Sequence, residues 1–193
     1  MANGRVITGF SKPFVALYSA SGTTVTYTGG IPLARGVEVQ IEPESTDDNR
    51  FYADNIVAEN EAGTFNGGTA TITVDGLKDA ANKLIFGLPT ADQQGWTNYG
   101  NDQAVPYVGF GCVVRYQEEG VVSYVPLVLT KIQFNEASLD ASTQEENIDW
   151  QTQELTAQIF RDDTADQVWK KLGTGVATEA AAETAMKTAL GVS

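Results

Sequence analysis

Apolar and polar side chains alternate without interruption through Val37-Glu38-Val39-Gln40-Ile41-Glu42. A period of two sets one face on a core and turns the other to solvent or a partner, so this segment predicts a β-strand. Ala70, Ile72 and Val74 repeat the pattern, and Gly67-Gly68 ahead of them is expected to supply a turn. Two runs rich in β-branched and aromatic residues, 107–116 and 121–134, meet at Glu118-Glu119-Gly120 and read as a hairpin. Pro126 lacks the N–H that a ladder needs and predicts an edge or a bulge in the second run. A last strand is expected over 147–161, where the apolar phase changes. Ile148 and Trp150 share one parity, whereas Leu155, Ala157 and Ile159 share the other. Either a bulge near Thr152 resets the phase, or the two halves bury against different surfaces.

Helical spacing appears twice. Leu77, Ala80, Ala81, Leu84 and Ile85 predict a helix over 76–87, with Asp75 as N-cap and Gly87 then Pro89 as the stop. An alanine-rich helix is expected over 179–190, beginning after Thr178 and ending at Gly191. It would set Ala182, Ala185, Met186, Ala189 and Leu190 on one side. A helix this short is marginal in water and needs a surface to pack on. Gly173 and Gly175 are expected to detach it from a turn at Val168-Trp169-Lys170-Lys171-Leu172. Polar loops are expected at 44–49, 60–68 and 89–106. Together these elements predict a mainly β fold: two packed antiparallel sheets, as a sandwich or partly closed barrel, with one flanking α-helix and a short C-terminal helix. The organisation expected is a β domain over 1–172, then a linker and helix over 173–193.

The chain has 193 residues, room for a sizeable core, and at 42% hydrophobic and 19% charged it has a globular composition. No run of 18 apolar residues predicts a membrane span. The stretch Met1-Ala2-Asn3-Gly4-Arg5-Val6 lacks the basic-then-apolar pattern of a secretory signal, so synthesis in the cytoplasm is expected. A net charge of −13 repels phosphate and argues against specific nucleic-acid binding, although acidity also serves plain solubility.

The chain contains no histidine, which removes the commonest general base near neutral pH and the commonest zinc ligand. Gly109-Phe110-Gly111 makes no phosphate loop. Cys112 has no histidine to activate it and sits in an apolar run, so it reads as a core residue. The acid pairs Asp47-Asp48 and Glu145-Glu146 are adjacent in sequence, which says nothing of the separation a glycosidase needs. Asp47, Asp48, Asn49 and Asp54 could face a calcium ion, but their spacing is not that of a calcium-binding helix–loop–helix. Trp96, Tyr99 and Tyr107 suit either a sugar platform or the cover of a core or interface. No enzyme, cofactor or metal is expected.

Several segments, in order, resemble the major tail protein, or tail tube protein, of long-tailed phages and prophages of Gram-positive bacteria. They are Ala34-Arg35-Gly36-Val37-Glu38-Val39, the acidic Glu42-Pro43-Glu44, Phe51-Tyr52-Ala53-Asp54-Asn55 and Thr73-Val74-Asp75-Gly76-Leu77. Val108-Gly109-Phe110-Gly111 and Thr143-Gln144-Glu145-Glu146-Asn147-Ile148 complete the set. They span about residues 30 to 170, leaving the alanine-rich C-terminus outside. The resemblance implies two packed antiparallel sheets flanked by a helix. It also implies hexameric rings stacked into a tube around a tape-measure protein, with tail terminator and tip proteins as further partners. DNA would pass through without specific binding, no membrane would be involved, and the site of action would be the virion tail.

The segment 42–68 is the candidate contact. It is too long for a hairpin turn and mixes acids with Arg50, Phe51 and Tyr52. By resemblance, an extended loop here reaches the next ring, with Phe51 and Tyr52 as anchors and Arg50 paired to an acid on the neighbour. Glu42, Glu44, Asp47, Asp48 and Asp54 complete the candidate set. The aromatics could instead tuck into their own core. A carbohydrate- or receptor-binding β-sandwich on a virion or cell surface is the alternative reading.

Overall fold

The structure is a computed structural model and describes residues 4–101, 103–136 and 151–192. In chain order its elements are β1 (Val6–Ser21), β2 (Thr24–Pro32), β3 (Gly36–Ser45), β4 (Asn49–Ala53), β5 (Ile56–Glu61) and β6 (Phe65–Val74). Then follow α1 (Asp79–Phe86), β7 (Val108–Glu118), β8 (Val121–Phe134), β9 (Gln153–Phe160), β10 (Lys170–Leu172) and α2 (Glu179–Ala189). One antiparallel sheet runs β2-β1-β7-β8-β9-β6-β3, with β10 on β8, while β4 and β5 form a separate two-stranded sheet. The fold is therefore mainly β and is not a closed barrel. Its two layers are the two halves of one continuous sheet. Val15, Ile72, Val74, Phe110, Leu129, Ile132, Leu155 and Ile159 join Ala81, Ile85 and Phe86 of α1 in a single core.

Strict alternation translated directly into strands where one face is buried. Ala70, Ile72 and Val74 are sealed, as are Leu155, Ala157 and Ile159 on the neighbouring strand. The hairpin closes through Glu119 and Gly120, both at positive φ (48° and 84°), the pairing a tight two-residue turn requires. Pro126 accepts from the Gly173 N–H at 2.8 Å. A residue's N–H and C=O point the same way in a strand, so its missing donor faces the outer end of β10, where no full ladder runs.

Other expectations are corrected. Gly67 and Gly68 make no turn, because both lie inside β6 and pair with Glu44 and Pro43 of β3. Asp75 does not cap α1, which starts behind Lys78 with no side-chain cap. Its carboxylate instead accepts from the Arg35 backbone N–H and guanidinium, closing the far end of the β3–β6 ladder. The turn expected at 168–172 is β10, and the chain beyond it stays pinned to β8 through the Tyr124–Val176 bridge. Ile148 and Trp150, and the phase change they create, lie outside the described residues. β1 and β2 went unforeseen.

α2 is capped by Thr178, whose hydroxyl accepts from the Ala181 N–H, and buries Ala182, Met186 and Leu190. Ala185 and Ala189, expected on that face, are exposed. Met186 and Leu190 meet Phe14 and Val128 in a second cluster, on the side of β7 opposite the main core. Gly109 and Gly111 make this possible. A Cβ on Gly111 would stand 2.6 Å from Met186 Cγ, and one on Gly109 2.5 Å from the Tyr27 ring. Gly111→Val is thus expected to destabilise the fold by about 1–3 kcal/mol. In a Met186→Ala background the added loss should be smaller, because the same space is emptied. Chemical denaturation of the four proteins checks this, and full additivity would contradict it.

Candidate functional site

The β3–β6 ladder runs from Gly36↔Val74 to Ser45↔Phe65 and then leaves the body. Thr46 N–H donates to Thr64 O at 2.9 Å, and Asp48 Oδ1 accepts from the Gly63 N–H at 3.0 Å. β4 and β5 continue outward from Asn49↔Glu61 to a tip where Asp54 and Asn55 both hold left-handed backbone, φ 51° and 65°. The segment expected as a loop is a β-hairpin arm. Every residue from 42 to 62 is exposed.

Phe51 is 63% exposed and Tyr52 58%, so neither tucks into the core of its own chain. Arg50 Nη2 stands 3.7 Å from Asp48 Oδ2 of the same arm, an exposed pair worth little by itself. Asp47, Asp48, Arg50 and Tyr52 surround one open concavity. Asp54 sits apart at the tip, while Glu42 and Glu44 lie on β3, where Glu42 accepts from Gln40 Nε2 at 2.7 Å. Ile56 and Val57, 67% and 47% exposed, belong to the arm's apolar set and were missed. The signal was present: Asp54-Asn55, two residues that tolerate left-handed backbone, divides two short apolar runs.

Trp96, Tyr99 and Tyr107 have different surroundings. Trp96 is 71% exposed on a loop held by Asp92, whose carboxylate accepts from the N–H groups of Gln94 and Trp96. Tyr99 accepts from Asn82 of α1, and Tyr107 packs edge-on against Phe160. Cys112 is sealed in the core, and burial pushes its thiol up to about 12. Glu145 and Glu146 lie outside the described residues. Among the described residues, no group of three or more metal-ligating side chains gathers, and no helix is long and apolar enough to cross a membrane.

Titratable groups do gather beyond β9. Asp163 accepts from Tyr18 Oη at 2.6 Å and from Lys131 Nζ at 2.7 Å, and its own N–H donates to Tyr18 Oη. The Lys131 bond, then the Tyr18 bond, hold the Asp163 carboxyl below its usual range. Burial, reinforced by Asp163, pushes Tyr18 up to about 12. Both shifts lead away from neutrality, so this cluster ties β1 and β8 to the loop after β9 instead of exchanging protons near pH 7.

No protein-family model matches this chain, and no curated protein matches it.

Hydrogen bonds from Arg35 and Lys187 likewise lower Asp75 and Glu183. Folded-state values below the ordinary carboxylate pKa of about 4 mean that the stability they contribute is full above that pH. It is lost as pH falls through the depressed values. With no histidine in the chain, the melting temperature is expected to stay level from about pH 5.5 to 8 and to drop below about pH 4. A step near pH 6.5 in a thermal-melt series would contradict this.

Proposed function

We propose that this chain is a structural subunit of a phage tail tube, assembling with copies of itself into stacked hexameric rings that form a conduit for DNA. The observation that carries the reading is the arm. Four large apolar side chains, Phe51, Tyr52, Ile56 and Val57, stand in water on a hairpin with no core beneath it. Such a surface calls for a protein partner, and the resemblance to tail tube proteins names one.

The sheet edges support a directional contact. Among the described residues, β2 and β3 end the sheet and carry no further strand on their outer sides. β2 has no charged residue, whereas β3 carries Glu38, Glu42 and Glu44. Pairing β3 with β3 would set like charges together, while β2 against β3 would not. Unlike edges make a heterologous contact, the kind that closes rings. A net charge of −13 suits a wall that must let phosphate slide past. Tape-measure, terminator and tip proteins are the partners this role requires.

Exposed Trp96 is the observation that favours the second reading, a carbohydrate- or receptor-binding module. Electron microscopy of the concentrated protein separates the two. Hollow tubes are expected, and Phe51→Ser with Tyr52→Ser should abolish them while leaving circular dichroism and melting temperature unchanged. Discrete monomers or trimers that bind glycans saturably would overturn the tube reading.

A further inference from the structure

At the opposite end of the β3–β6 ladder from the arm lies a groove of about 830 Å³. Its walls are the bulged middle of β1, the β2–β3 connection and the start of α1. Ile31, Pro32 and Ala34 give it an apolar lining that the fold leaves partly open to solvent. Lys12, Arg35 and Lys78 stand around it; Lys12 is paired with Glu183 and Arg35 with Asp75, which leaves Lys78 as the groove's cation without a paired acid among the described residues. In a chain with a net charge of −13, a site where cations outnumber acids is unlike the average surface.

The arm is its complement. Between Glu44 and Glu61 it carries six carboxylates (Glu44, Asp47, Asp48, Asp54, Glu59 and Glu61) against one cation, Arg50. It presents apolar side chains beside those acids, as the groove presents apolar lining beside its cations. Electrostatic complementarity of this kind fixes register and excludes wrong partners. We propose that the groove receives the arm of another copy of this chain, an inference that rests on the reading of the chain as a self-assembling subunit.

Geometry excludes the intramolecular version. β3 has 10 residues, which at ~3.3 Å per residue separates groove from arm by about 30 Å along a stiff ladder. The arm also points outward, away from Gly36. An arm docked in a groove therefore joins two copies head to tail, with the same polarity at every step. A heterologous contact between opposite ends of a molecule propagates along the ladder direction instead of stopping at a dimer. Edge pairing would work within a ring; the arm and groove join successive rings.

The test uses two variants of the full chain. Phe51→Ser with Tyr52→Ser disables the arm, and Lys78→Glu with Ala80→Glu reverses the groove. Lys78 and Ala80 are exposed, and acids are favoured in a helix's first turn, so the groove variant should fold. Alone, each variant is expected to form no tubes by electron microscopy and sedimentation. Mixed, they should form complexes joined through the one intact arm and the one intact groove, without growth into tubes. Tubes from the groove variant as abundant as wild type, with the arm variant inactive, would overturn the groove assignment and leave the subunit reading standing. A wild-type protein that forms no tubes at any concentration would overturn both. A second measurement does not depend on those substitutions. Tyr52→Cys with Ala80→Cys, treated with a bismaleimide, should give a ladder of covalent multimers, whereas each single variant stops at dimer. Buried Cys112 stays silent. A double variant that yields no ladder would also overturn the assignment.

Discussion

The β3–β6 ladder is sealed in the core at one end and only partly covered at the other. Near Val74 the pairing is fixed by sealed side chains and by the Arg35–Asp75 clasp, so a slip of one residue would turn the apolar set out to solvent. Toward Ser45 the last cover is Phe65, partly buried on the core and stacked on Trp169; beyond it the separate β4–β5 pair is kept in register by hydrogen bonds and by the tight turn at Asp54-Asn55. A body that folds and an arm that reaches are thus two successive strand pairs, β3–β6 and β4–β5, joined end to end along the chain. The position of α1 follows from it, since the chain leaving β6 runs straight over the end of the core.

What the sequence disclosed followed from how many faces each strand buries. β6 and β9 bury one face, and Ala70, Ile72, Leu155 and Ala157 could be read at sight. β1 buries two. Phe14, Val15 and Ala16 are consecutive and all sealed, Val15 in the main core and Phe14 beneath α2. Register shifts at Ile7–Gly9 and Ser11–Phe14, with Lys12 at positive φ, break what alternation remained, so no period could be seen. The arm was legible as a contact segment but not as strands, for a different reason: its strands bury nothing, and a strand without a core leaves no alternation. For α2 the cap and the Ala182, Met186, Leu190 stripe were legible, but the width of the stripe was not. Only contact with β7 and β8 decides that Ala185 stays wet. The glycines of β7 had no meaning in sequence, because their role is the space they leave for Tyr27 far upstream and for Met186 and Leu190 far downstream.

Charge is distributed with the same asymmetry as burial. The acids concentrate on β3 and the arm, β2 is neutral, and cations gather where β3 begins. A molecule so arranged has a direction, and self-association in the wrong sense meets repulsion before it meets any apolar contact. The candidate set read from sequence fell on the acidic end of this axis. Its basic complement stayed hidden because Lys12, Arg35 and Lys78 are far apart in the chain and come together only through the bulge in β1 and the clasp at Asp75.

A two-stranded hairpin with no third layer is only marginally ordered in water. Whatever grips the arm must therefore also still it, and that entropy is subtracted from every contact the arm makes. A single grip is accordingly weak and short-lived. In the proposed rings several arms held side by side would share one rigid frame, so loss of one would leave its neighbours to hold it near its seat until it returned. Growth would then show a lag and a threshold concentration: small clusters dissolve, and long polymers persist. The marginal order of one exposed hairpin would keep the free subunits dispersed until enough of them are present to build.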